Sequence, residues 1–222
     1  MNHTILMDKI WKVYSLFPHC LITTYVNKNK ARRSFNYTVN SNISIVSVNC
    51  IGGEIYSILG IPFNSPFINT SMNRKHFIIM CEQLKHYLSS ELKVCLQNDG
   101  YYVGMLSPKG LPTVRIRFDH DNDSNEILEK WTRRLERINW DKIVLICDDK
   151  DLDDDYYERF DNIKAYKKIM LTVADKSEKY SWCHQLKAYG NRKHTGTYNG
   201  KSVLGGWKFQ YMWDFVTFLN NN

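Results

Sequence analysis

Short β-branched runs alternate along the chain with stretches whose apolar residues recur at helical spacing. That pattern predicts an α/β fold of three layers, a mainly parallel or mixed central sheet flanked by helices. Ile5, Leu6, Ile10, Val13, Tyr14 and Phe17 share one face of an amphipathic helix over 5–17, which Pro18 stops. From there to Asn40 the chain is basic and irregular and reads as an extended or mobile connection. The run Ile43 to Val48 predicts a strand, followed by a tight turn at Asn49-Cys50-Ile51-Gly52-Gly53 and a short helix over 54–59 before Gly60 and Pro62.

Phe77, Met80, Cys81, Leu84, Tyr87 and Leu88 form one stripe of a helix over roughly 73–89. Residues 91–106 read as short strands turning at Asn98-Asp99-Gly100, and 113–118 alternates Val114, Ile116 and Phe118 with Arg115 and Arg117. Asp123 and Glu126 have capping-box spacing and open a helix with Ile127, Leu128, Trp131, Leu135 and Ile138 inward, ending near Asn139. The continuous apolar run Ile143 to Ile146 predicts a strand covered on both faces, hence a parallel neighbour. A helix over about 153–163, a strand over 168–173 and an aromatic terminal helix over 207–219 complete the pattern. The expected organisation is one domain, with a core over 41–175, an N-terminal helix and connection over 1–40, and a Gly-rich, aromatic extension over 176–222.

Composition narrows the function classes. With 43% hydrophobic, 14% aromatic and 24% charged residues, the 222-residue chain is that of a packed protein and not a disordered one. No apolar run reaches the roughly 20 residues needed to span a bilayer, and Asp8, Lys9 and Lys12 interrupt any secretory signal. The expected location is cytoplasmic, with peripheral association at the inner membrane face as the role of the 5–17 helix if it does not simply pack on the domain. Six cysteines without a C-x-x-C pair predict reduced thiols and no zinc site. The net charge of +7 is scattered, and no RNA-binding or zinc-finger signature accompanies it, so nucleic acid is not the expected partner.

Candidate chemistry gathers at predicted strand ends, where ligands bind in open α/β sheets. Cys50, His120 and Asp148 each follow a strand; if the three strands are mutually parallel, they share one rim. At the start of a helix Cys50 would gain thiolate character, His120 would act as its base, and Asn49, Gly52 and Gly53 would offer backbone amides to an oxyanion or phosphate. The competing reading makes Cys50 a small buried thiol, the glycines a tight turn, and His120 a hydrogen-bonded turn residue. Arg134 and Arg137 fit a phosphate or carboxylate clamp, or ordinary surface ion pairs. Asp148 and Asp149, with Asp151 and Asp153 to Asp155, suggest strand-end carboxylates for Mg²⁺ or Mn²⁺, although 153–155 is explained as an acidic helix start.

The segments Ser47-Val48-Asn49-Cys50-Ile51-Gly52-Gly53-Glu54-Ile55-Tyr56 with Leu59-Gly60 and Ser65-Pro66, then Phe118-Asp119-His120, then Glu129 to Asp141 around Trp131-Thr132-Arg133-Arg134, resemble a domain-of-unknown-function family of bacterial exopolysaccharide and capsule biosynthesis proteins. The resemblance covers about 40–175 and implies an α/β fold, a place in surface-polysaccharide assembly and, for some relatives, an acetyltransferase label. The family pattern has an aromatic residue after the cysteine where this chain has Ile51. Together, residues and resemblance predict a sugar O-acyltransferase with Cys50 as nucleophile, His120 as base, acyl-CoA as donor, and Asn49, Gly52, Gly53, Trp131, Arg134 and Arg137 binding substrate. The alternatives are a metal-dependent glycosyl or phosphosugar transferase using Asp148 and Asp149, and a non-catalytic protein that binds a nucleotide sugar or lipid-linked saccharide intermediate beside membrane assembly machinery.

Overall fold

A computed structural model describes residues 28–186 and 213–221, together with the backbone of two short strands at 197–198 and 201–202. The expected helix over 5–17 and the 207–212 part of the terminal helix lie outside the described residues. The α/β class is observed, with the strands divided between a parallel and an antiparallel sheet.

The parallel sheet has the order β1-β6-β7-β8, formed by β1 (Ser44–Ser47), β6 (Ile143–Asp148), β7 (Lys167–Thr172) and β8 (Cys183–Gln185). Ser44 pairs with Ile143 and Ser47 with Ile146, while Val144 pairs with Lys167. Every residue of β1 and β6 is buried, as the unbroken apolar run Ile143 to Cys147 of β6 requires. The second sheet is antiparallel with the order β2-β5-β4-β3, from β2 (Thr70–Met72), β3 (Leu92–Leu96), β4 (Tyr102–Leu106) and β5 (Val114–Phe118). One hydrogen bond stitches the two together: the Val48 carbonyl, just past β1, accepts from the Met72 amide at 3.0 Å. Thr197–Tyr198 (β9) and Lys201–Ser202 (β10) form a separate antiparallel pair.

Two apolar layers cover the parallel sheet. Ile45, Val144, Ile146 and Leu171 pack with Ile55, Tyr56 and Leu59 of α2 (Ile51–Leu59) and with Val216 and Leu219 of the C-terminal helix α7 (Phe215–Asn220). On the opposite face, Val46, Leu145, Cys147 and Met170 join a cluster with Phe77 and Met80 of α3 (Arg74–Glu82), Tyr87 of α4 (Leu84–Leu88), Trp131 of α5 (Ser124–Leu135), and Tyr157 and Phe160 of α6 (Asp154–Asn162). The inward face of the antiparallel sheet, through Val114, Ile116 and Phe118, closes the same cluster. Gly104 makes room there: a Cβ would lie 2.7 Å from Leu92 and 2.9 Å from Phe118.

Several expectations are corrected. The segment before Asn40 is helical over 28–34 and in α1 (Tyr37–Asn40), where the Asn36 side chain accepts from the Val39 amide and Arg32 Nε donates to the Ile58 carbonyl. The helix after β1 begins at Ile51 and takes both glycines into its first turn. The 73–89 stretch is two helices, because Gln83 leaves helical geometry at φ −131°, ψ 39°. Strand 113–118 is not parallel to 43–48 and 143–146: it is β5, central in the antiparallel sheet. Its charged Arg115 and Arg117 need one solvated face, which that sheet supplies and the doubly covered parallel sheet does not.

Candidate functional site

The helices that follow β1 and β6 go to opposite faces of the parallel sheet, since α2 packs in one apolar layer and α6 in the other. Their divergence marks a topological switch point beyond the C-terminal ends of these two adjacent strands, the position at which open α/β sheets bind ligands.

A buried polar network lies at this switch point. Asp148, at the end of β6 and 1% exposed, receives a two-pronged ion pair from Arg74: Nε to Oδ1 at 2.7 Å and Nη2 to Oδ2 at 2.6 Å. Asn49 Nδ2 donates to the same Oδ2 at 3.4 Å, and its Oδ1 accepts from the Ile51 amide at 3.0 Å. Asp149 ties β6 to β7 instead, its Oδ2 accepting from the Val173 amide at 3.1 Å. Both Asp148 oxygens are thus engaged by a guanidinium, the geometry of a structural carboxylate rather than of a pair converging on Mg²⁺ or Mn²⁺. Among the described residues no group of three or more His, Cys, Asp or Glu side chains is placed to hold a metal ion.

Beside this network stands Cys50, the N-cap of α2 and half-buried. Its Sγ lies 3.7 Å from Asp119 Oδ2 and 3.9 Å from the Thr70 carbonyl oxygen. Asp119 reaches the thiol because its amide donates to the Asn69 carbonyl at 2.9 Å, carrying the β2–β5 ladder one residue beyond Phe118. Asn69 takes a left-handed conformation, φ 61°, which asparagine tolerates better than most residues. Burial first, then the charges of Asp119 and Glu54, push the Cys50 thiol up to about 12. The helix start therefore does not make it a resting thiolate, because desolvation and two carboxylates outweigh the dipole.

The residues expected to serve Cys50 fall out differently. His120 is exposed and Asp119 holds the place beside the thiol. Two of the helix-start amides are already used, that of Ile51 by Asn49 Oδ1 at 3.0 Å and that of Gly52 by Ser47 Oγ at 3.1 Å. Gly52 and Gly53 are close-packing positions, a Cβ on them falling 2.6 Å from Ser47 Oγ and 3.3 Å from Ile68 respectively. Trp131 is a core ring at 5% exposure, edge-on to Phe67 at 5.4 Å and to Phe118 at 6.3 Å between ring centres. Arg134 is half-buried with its guanidinium 5.5 Å from the Phe63 ring centre, its pKa lowered by desolvation against the pull of Asp121; Arg137 is exposed.

Two residues missed by local pattern, Asp119 and Arg74, complete the site. Asp119 carried a weak signal as the residue ending an alternating strand; Arg74 carried none, because it meets Asp148 only through a contact 74 residues long.

The fold and these contacts define an α/β protein with a buried Arg–Asp–Asn network and a thiol–carboxylate pair at its switch point. Residues 21–220 match the model of the domain of unknown function DUF1919, and the chain belongs to that family. It is also similar to an uncharacterised Haemophilus influenzae protein, 28% identical over 204 residues, which cover 87% of this chain and 94% of the relative. Among the described residues no helix is long and apolar enough to cross a membrane.

Proposed function

We propose that the protein is a sugar-modifying transferase of surface-polysaccharide assembly that moves an acyl group onto a sugar hydroxyl at the β1–β6 switch point, with Asp119 as the general base. The carrying observation is the placement of the Asp119 carboxylate, 19% exposed, against the Cys50 thiol at the switch point. The sugar hydroxyl gives its proton to Asp119 as its oxygen attacks the acyl carbonyl of a thioester donor. The C–S bond then breaks, and the departing sulfur takes the proton back. Exopolysaccharide or capsule assembly is the setting implied by the resemblance of 47–56, 118–120 and 129–141, and the acyl group follows from the acetyltransferase label of some relatives.

A covalent route through a thioester on Cys50 asks for removal of a proton from a thiol pushed up to about 12. The direct route needs no thiolate, and it leaves Cys50 as a hydrogen-bonded neighbour of the base. Cells carrying Asp119→Asn should lose alkali-labile acetate from their polysaccharide by a factor of about 10² or more, the usual worth of a general base. Cys50→Ala should retain most of it. Full acetylation in D119N overturns the reading, and loss in C50A with retention in D119N returns the nucleophile to Cys50.

A further inference from the structure

The outward face of the antiparallel sheet continues from Asp119 along β5. Register puts Ser71, Arg117, Val103 and Cys95 in one cross-strand row, and Arg115, Met105 and Lys93 in the next. The rows hold three cations and no carboxylate, and Arg115 and Arg117, two residues apart on β5, stand roughly 7 Å from each other along the strand. Arg117 lies flat on Tyr101, its Cζ 3.4 Å from the ring centre, and Arg115 Nη2 donates to Gln97 Oε1 at 3.0 Å. Both forks are therefore held in place above an apolar floor in which Val103 is 9% exposed.

Arg117 is also partly open to solvent. Its Nε is buried 3.0 Å from Asp119 Oδ1, close enough for an ion pair, while the side chain as a whole is 42% exposed. A planar fork stacked on an aromatic ring with donors in hand is the arrangement that captures phosphate oxygens. Asp119 joins this face to the switch point, with Oδ1 toward Arg117 and Oδ2 toward Cys50.

We infer that Arg115 and Arg117 clamp the diphosphate of a glycosyl diphosphate acceptor, with the sugar ring extending past Arg117 so that one hydroxyl meets Asp119. This rests on the acyl-transfer reading of the switch point and names its substrate class. The short span from Arg117 to Asp119 is what selects it. A diphosphate attached directly to the sugar brings a ring hydroxyl to the base, whereas the long arm of an acyl carrier places its own phosphates too far from the reacting carbonyl.

The test is titration calorimetry of the full chain with UDP-glucose, with farnesyl diphosphate, and with glucose. Binding of either diphosphate and not of glucose is expected, and which one binds tells a nucleotide-linked from a lipid-linked acceptor. Arg117→Ala should weaken that binding at least tenfold, Arg117→Lys should weaken it although the charge is kept, and Arg115→Ala gives an independent reading should R117A misfold. Affinity in D119N should stay at or above wild type, because the carboxylate repels a diphosphate. Absence of binding by both diphosphates, or equal binding by R117A and R115A, overturns the clamp. If those variants bind normally while D119N abolishes acetylation, only the clamp fails. If they lose binding while D119N leaves acetylation intact, the transferase reading fails instead.

Discussion

Arg74 grips both carboxylate oxygens of Asp148, at 2.7 and 2.6 Å, where the parallel sheet ends and the antiparallel sheet begins. Arg74 opens α3 immediately after β2, while Asp148 closes β6, so the pair locks the seam between the two sheets. With Asp148 1% exposed, losing the cation leaves a buried carboxylate without its guanidinium, beside the Asn49 side chain and the Lys150 amide. Arg74→Ala should lower stability by ~3–5 kcal/mol, the cost of breaking a buried pair from one side. Urea denaturation of R74A and of the double variant R74A/D148A checks it: the double variant should be the more stable of the two, since the orphaned charge has gone.

Gly52 lets the start of α2 pack on β1 by absence of bulk. A Cβ there would stand 2.6 Å from Ser47 Oγ and 3.2 Å from Ile45 Cγ2, both fixed in a wholly buried strand. Gly52→Ala should destabilise by ~1–3 kcal/mol through overpacking, read as a lowered urea midpoint with unchanged slope. Gly53→Ala, whose nearest contact is Ile68 Cγ2 at 3.3 Å, should cost less.

A third expectation concerns pH. β2 is too short to pair with Arg115, and His76 fills the gap, its Nδ1 accepting from the Arg115 amide at 3.3 Å. Burial and then the Arg115 charge lower the His76 pKa below 6.5. The unfolded chain therefore binds the proton first as pH falls, so this contribution is complete above pH 6.5 and is lost from there down toward the folded value. Unfolding midpoints taken from pH 7.5 to 5 should fall in wild type, and His76→Gln should flatten part of that fall.

Much of this architecture is legible in the sequence where burial is uniform. The unbroken run Ile143 to Ile146 identifies a strand covered on both faces, and Asp123 with Glu126 marks the start of α5, where the Asp123 side chain does accept from the Glu126 amide at 2.9 Å. The sheet assignment of 113–118 was also within reach, because arginines alternating with Val114, Ile116 and Phe118 demand an open face. Other features have no local signature. Thr70–Met72 is three residues with a hydroxyl at two of them, and the break at Gln83 involves neither glycine nor proline. Of the site, Cys50 and Asp148 are visible as strand-end residues. The partner of Cys50 is not, since the choice of Asp119 over His120 depends on a ladder bond to Asn69 that periodicity does not encode.

The Cys50–Asp119 contact makes a last prediction whose sign follows from its causes. Burial, Asp119 and Glu54 all raise the thiol, so at neutral pH the sulfur is protonated and a poor nucleophile. Iodoacetamide labelling at Cys50, followed by peptide mass spectrometry, should be slow at pH 7 and climb roughly tenfold per pH unit through pH 9 without reaching a plateau. Asp119→Asn removes a full negative charge 3.7 Å from the sulfur, which lowers the thiol pKa and should quicken labelling at pH 8. His120→Ala should leave the rate unchanged, because the exposed imidazole is not the thiol's partner. Rapid labelling already at pH 7, slowed by H120A and untouched by D119N, would mean that the imidazole and not the carboxylate governs Cys50, and it would reopen the covalent route.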